Sequence, residues 1–144
     1  PARSLTEELR TALMKKLLHG CIALVALAGL SLSAQAAPVS DEHFDFDTTA
    51  DLYRVCATSS DAPEYTVASF SCRAFIEATV QYHDSVTDKK RMKRLICYPK
   101  TATIADGRKA FVSWAAANQN DQQLMAELPV VGLVRAMAAT YPCR

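Results

Sequence analysis

Cysteine, histidine and the acidic side chains are the groups with which this 144-residue chain can do chemistry, and the first two are few. Past residue 36 there are four cysteines, Cys56, Cys72, Cys97 and Cys143, and two histidines, His43 and His83. No Cys-x-x-Cys pair occurs among them, which removes the usual thioredoxin-like and zinc-ribbon readings. A serine or cysteine nucleophile needs a base, and the two histidines are the candidates. His43 lies in a polar lead without periodicity. His83 falls on an apolar helical stripe, where a packed, hydrogen-bonded imidazole is the default. Carboxylates are abundant, but nothing marks Glu77 or Asp84 as buried. No phosphate-binding loop and no His-x-x-x-His pair is present, and the whole chain has four glycines, so no metal or cofactor is expected. These residues describe a binding protein rather than an enzyme.

The elements that must position them centre on Ser71 to Asp88. Wound as a helix, Cys72, Phe75, Ile76, Thr79, Val80, His83 and Val86 share one stripe. Arg73, Glu77, Gln81, Asp84 and Asp88 fall on the opposite side, read here as a solvated face with an Arg73–Glu77 pair at i, i+4. Such a pair contributes a few tenths of a kcal/mol at most, so the apolar stripe must be buried against other elements.

The beginning of the chain sets the chemical environment. Met14-Lys15-Lys16, the apolar run Leu17 to Leu32 and Ala34-Gln35-Ala36 have the order of a secretory signal peptide: basic region, hydrophobic region, small-residue cleavage site. Residues 1–13 then lie upstream of the initiator, 14–36 are the signal, and 37–144 form one exported domain. Sixteen residues are short for a membrane span. Cys21 leaves with the signal, and four cysteines remain. An even number in a small exported domain points to two disulfides. Three pairings are possible, and Cys56–Cys72 with Cys97–Cys143 is favoured: the first closes a short helix-to-helix loop and the second ties down the last residues.

From residue 37 on, 12 Lys and Arg stand against 13 Asp and Glu, near neutral at −1. Acid gathers between Asp41 and Glu64, and Lys89, Lys90, Arg91, Lys93, Arg94 and Lys100 form a basic run. A periplasmic destination makes nucleic acid an unsuitable partner for that run, so it reads as a solvated connector, or else as a steering patch for an acidic protein or an anionic wall polymer.

In chain order, residues 37–46 read as a loose lead. Thr48-x-x-Asp51 opens a short helix through Cys56, and Thr58 to Pro63 is a loop before the central helix. Leu95-Ile96-Cys97-Tyr98 is too short to claim as a strand, and Pro99 stops it. Thr103-x-x-Asp106 opens a helix whose inner face holds Ile104, Gly107, Phe111, Trp114, Ala115 and Asn118. Asn118, Gln119, Asn120 and Asp121 form a polar turn, with Asp121 placed to cap the next helix. Pro129 must break or bend that helix. Beyond it Val130, Leu133, Val134, Met137, Ala138 and Tyr141 restart the period. Four to five helices with no alternating β pattern predict an all-α, disulfide-stapled small bundle.

Thr48 to Cys56 (TTADLYRVC), Cys72 to Asp84 (CRAFIEATVQYHD), Cys97-Tyr98-Pro99, the helix opened by Thr103 and Ala136 to Cys143 (AMAATYPC) recur in an order that resembles a family of periplasmic immunity proteins. These neutralise type VI secretion amidase effectors (the Tai family and its resistance-associated relatives). The resemblance implies a helical homodimer in the periplasm that plugs the cleft of a cognate peptidoglycan amidase. It also implies that the turn Asn118, Gln119, Asn120, Asp121 helps to occupy that cleft. A different reading of the same residues is a periplasmic stress or chaperone-like protein that exposes apolar surface when acidified.

Overall fold

The computed structural model describes residues 38–89 and 92–144. The expected leader and signal peptide lie outside them. Five α-helices follow one another among the described residues: α1 Thr49–Cys56, α2 Tyr65–Lys89, α3 Ile104–Asn118, α4 Gln122–Met125 and α5 Pro129–Thr140. No strand occurs among those residues, so the class is all-α, as the sequence predicts.

Local chemistry starts and stops these helices where the sequence placed the signals. Thr48 accepts from the Asp51 N–H while Asp51 accepts from the Thr48 N–H, a reciprocal cap that opens α1. Thr103 and Asp106 repeat it at α3. Asp121 Oδ1 accepts from the Gln123 and Leu124 N–H groups at 3.1 Å and opens α4. That helix lasts four residues, and Pro129 takes the first position of α5, where its missing N–H costs nothing.

The core gathers Leu52, Val55, Cys56, Ala68, Cys72, Ile76, Ile96, Phe111, Ala115, Leu133 and Ala136, all buried. Cys56 bonds Cys72 and Cys97 bonds Cys143, with Cα atoms 5.1 and 5.0 Å apart. This is the favoured pairing. The first bridge ties the end of α1 to the second turn of α2; the second ties the 92–98 connector to the residues after α5.

Three expectations need correction. The lead is not loose: a 3₁₀ turn spans Asp41–Asp45, and Val39, Phe44 and Phe46 pack on the core. Phe46 adopts a left-handed backbone at φ 54°, uncommon for a bulky residue, and its ring sits 5.2 Å from that of Phe75. Burying the ring compensates the backbone. Trp114 is half-buried at the edge of the core rather than inside it. The α5 stripe is rotated: Pro129, Gly132, Leu133, Ala136 and Met137 are buried, while Val130 is 41% exposed.

The rotation has a steric cause. Thr49 is wholly buried at the first position of α1. Its N–H donates to the Glu127 carbonyl at 2.8 Å, and its hydroxyl lies 3.0 and 3.2 Å from the Glu127 and Leu128 carbonyls. That contact presses Thr49 onto α5 where Gly132 lacks a side chain. A β-carbon on Gly132 would lie 2.9 Å from Thr49 Cβ and closer still to its Oγ1 and Cγ2. Gly132 therefore has to face inward, and Val130 turns out.

Two outcomes are expected. Gly132→Ala should lower stability by about 1–3 kcal/mol in urea unfolding, the range for an overpacked contact. Removing each bridge as a Cys→Ser pair should cost about 3 kcal/mol for Cys56–Cys72 and about 4 for Cys97–Cys143, because the second closes the longer loop. Equal losses would mean that loop entropy is not the cause.

Candidate functional site

The chemically richest place in the domain is where the 92–98 connector crosses α2. Its backbone is neither helix nor strand, yet Ile96 is buried and its N–H must find an acceptor. His83 supplies one. Its Nε2 lies 3.3 Å from the Leu95 nitrogen and 3.4 Å from the Ile96 nitrogen, so both amides donate to it. Its Nδ1 lies 3.1 Å from Asp84 Oδ1. This network assigns the proton to Nδ1, which donates to the carboxylate, and leaves the Nε2 lone pair as acceptor.

Asp84 gathers the rest. Arg94 donates to Oδ1 and the Tyr98 hydroxyl donates to Oδ2, while Asp88 lies 3.7 Å from Arg94. Burial works against ionisation of Asp84, but the hydrogen bonds from Tyr98 and His83 and the Arg94 guanidinium together hold its carboxyl below the usual range. Burial, then the hydrogen bond to Asp84 and its charge, push the Tyr98 hydroxyl up to about 12. Asp84 is thus no member of a solvated face. Sequence reading missed it because its partners lie 10 and 14 residues away, across the basic connector.

An Asp–His couple resembles part of a catalytic triad, and here it is spent otherwise. In a triad Nδ1 faces the carboxylate and Nε2 faces the nucleophile. In this domain Nε2 faces two peptide N–H groups, and His83 is 7% exposed. The imidazole was expected in a packed, hydrogen-bonded position, and that is where it lies. The four cysteines are all oxidised, so none offers a thiolate. A groove of about 530 Å³ between α3 and the end of α5 is walled by Asp106, Lys109, Trp114 and Tyr141 among others. One of about 310 Å³ between α2 and α3 is walled by Ser69, Arg73, Thr103 and Arg108 among others. Neither wall carries a histidine. Arg108 is itself engaged: its Nε donates to the Cys56 carbonyl at 2.8 Å and its guanidinium lies 5.9 Å from the Tyr65 ring, closing the end of α1.

The polar turn Asn118 to Asp121 divides in two. Asn118 ends α3, its amide donating to the Trp114 carbonyl at 2.7 Å, and Asp121 spends its carboxylate on the start of α4. Gln119 and Asn120 are exposed between them. The fold fixes the ends of this turn and leaves two neutral amides at its tip.

The Asp84 cluster should leave a signature at both ends of the pH scale. The folded state raises Tyr98, so its contribution is complete below the ordinary tyrosine value of 10.0 and disappears as pH climbs toward about 12. The folded state lowers Asp84, so its contribution is present above 3.8 and is lost as pH falls through the lower folded value. Tyr98→Phe should therefore cost about 1 kcal/mol between these limits, a charge-assisted bond discounted for partial exposure. The difference from the parent chain should shrink toward both extremes in denaturant unfolding. A deficit that does not vary with pH would show that Tyr98 acts by packing alone.

A family model described as Rap1a immunity proteins matches residues 48–143, from the first helix cap to the last cysteine. No curated protein and no solved structure matches the chain.

Proposed function

Since the chain belongs to the Rap1a immunity protein family, we propose that it acts in the periplasm by occlusion: it binds a cognate type VI secretion effector and covers that effector's active site, with no reaction of its own. The family match over residues 48–143 carries this reading. The effector expected is a peptidoglycan amidase, in line with the segments that resemble the amidase-neutralising immunity proteins. Two disulfides suit an oxidising compartment, and the apolar run between Leu17 and Leu32 suits export to it. The domain acts as a homodimer.

Asn118, Gln119, Asn120 and Asp121 are the residues proposed to enter the effector cleft, with the work divided. Gln119 and Asn120 make the contacts, because short amides replace the water of a hydrophilic cleft without bringing a charge into it. Asn118 and Asp121 hold the tip in shape, so that little conformational freedom is lost on binding.

Co-expression with a candidate amidase from the same locus is the direct test; absence of both a complex and protection counts against occlusion. Within a complex, Gln119→Arg combined with Asn120→Arg should weaken binding at least tenfold, measured by calorimetry, at an unchanged melting midpoint. Asp121→Ala should instead lower the midpoint by removing about 1 kcal/mol of helix cap. Undiminished binding by the double arginine variant would place the contact surface elsewhere.

A further inference from the structure

Helix α2 has two apolar faces, and the domain uses one. Ala68, Cys72, Ile76, His83 and Thr87 point into the bundle. At about 100° per residue the opposite side carries Val67, Phe70, Ala74, Ala78, Tyr82 and Ser85, at successive spacings of 3, 4, 4, 4 and 3, with the polar Ser71 and Gln81 also on that side. All six residues of the stripe are exposed, Phe70 by 68% and Tyr82 by 70%. The acidic and basic residues read from the sequence as the outer face, Arg73 and Glu77 among them, form a flank beside this stripe. The two exposed aromatic rings stand 12 residues apart, about 18 Å along the helix, with Ala74 and Ala78 between them on the stripe.

We propose that this stripe is where two copies of the chain pair, α2 against α2 and antiparallel, about a two-fold axis at the level of Ile76. The proposal rests on the homodimer reading above and supplies its surface. The stripe is a palindrome about that level. Ala74 and Ala78 lie two residues to either side, Phe70 and Tyr82 six, Val67 and Ser85 nine. A two-fold axis there sets Ala74 against Ala78 of the second copy and Val67 against Ser85. The small central residues let the helix axes approach to about 8 Å. The aromatic rings at the two ends then cover the flanks of the opposing helix. A contact between identical surfaces requires this self-complementarity, and an unrelated partner does not.

Charge agrees with the same arrangement. Arg73 and Glu77 are 4.0 Å apart within one copy and largely in water, at 67% and 45% exposure, so the pair is weak as it stands. The antiparallel two-fold brings Arg73 of one copy to the same edge as Glu77 of the other, about 3 Å apart along the axis at 1.5 Å per residue. Two cross-copy pairs result. A parallel pairing would put these charges on opposite edges.

Sedimentation equilibrium of the disulfide-bonded chain tests this. The parent chain should be dimeric at micromolar concentration, and Ala74→Arg should raise the dissociation constant at least 100-fold. Because the position is exposed, the far-ultraviolet circular dichroism should not change, while the melting midpoint should fall to that of the dissociated chain and lose its dependence on protein concentration. Arg73→Glu and Glu77→Arg should each weaken the dimer, and together they should restore it, which confirms contact between copies. A parent chain that is monomeric at every concentration overturns both the homodimer and the face. A dimer that persists unchanged in Ala74→Arg keeps the homodimer and overturns the face.

Discussion

Two peptide N–H groups, on Leu95 and Ile96, set the terms for this domain. They belong to a connector that must run past the long helix, partly buried, without a strand or helix to satisfy its backbone. Leaving such a donor buried and unpaired costs about 1–3 kcal/mol. One side chain, His83, answers both, and Asp84 keeps its ring in the tautomer that can accept. From there the connector is committed. Tyr98 and Arg94 fall onto the same carboxylate, and Cys97 donates its N–H to the Tyr141 carbonyl at 2.9 Å beside its bridge to Cys143. The last third of α2 and the end of α5 are joined through seven residues of irregular chain.

Much of this was legible in the sequence because it is local. A threonine three residues before an aspartate, a proline after a short apolar period and the i, i+3, i+4 recurrence from Cys72 to Val86 each carry their cause within one or two turns. The disulfide pairing was readable for a similar reason, since one bridge closes a short loop and the other anchors a terminus. What stayed hidden depends on contacts distant in the chain. Asp84 looks like any charged residue on a helix flank until Arg94 and Tyr98 are folded back onto it. The phase of α5 follows from Thr49 lodging against Gly132, 83 positions later, and no periodicity within α5 reports that. The lead misled for its own reason: a segment with two aspartates and a glutamate reads as solvated, yet Phe44 and Phe46 lie among the acids and anchor it.

The long helix shows how a two-face reading loses information. Classing residues as apolar or polar finds the stripe that is richest in branched and aromatic side chains and assigns the remainder to water. Alanine and serine are small enough to sit on either side of such a division. Val67, Phe70 and Tyr82, spread over 16 residues, do not register as a stripe until Ala74, Ala78 and Ser85 are seen to continue it. The polar residues occupy a flank between the two apolar faces, a position that serves a helix lying between its own core and a second surface.

Reactive groups in the described domain are consumed by structure. Imidazole and carboxylate, which could form an acid–base couple, instead hold a connector in place; the thiols are oxidised; the half-buried arginine of α3 closes another helix. Each use removes a group from chemistry and adds rigidity. For a protein proposed to act by filling another's cleft, rigidity is the useful quantity, since every rotamer already fixed before contact is one less to order on binding, at about 0.5–1.5 kcal/mol for each long side chain. The turn at Gln119 and Asn120 follows the same logic on a small scale: two free amides stand on a base whose own hydrogen bonds are already made. Shape of this kind can be altered at its tip without disturbing the hydrogen bonds that hold the bundle beneath.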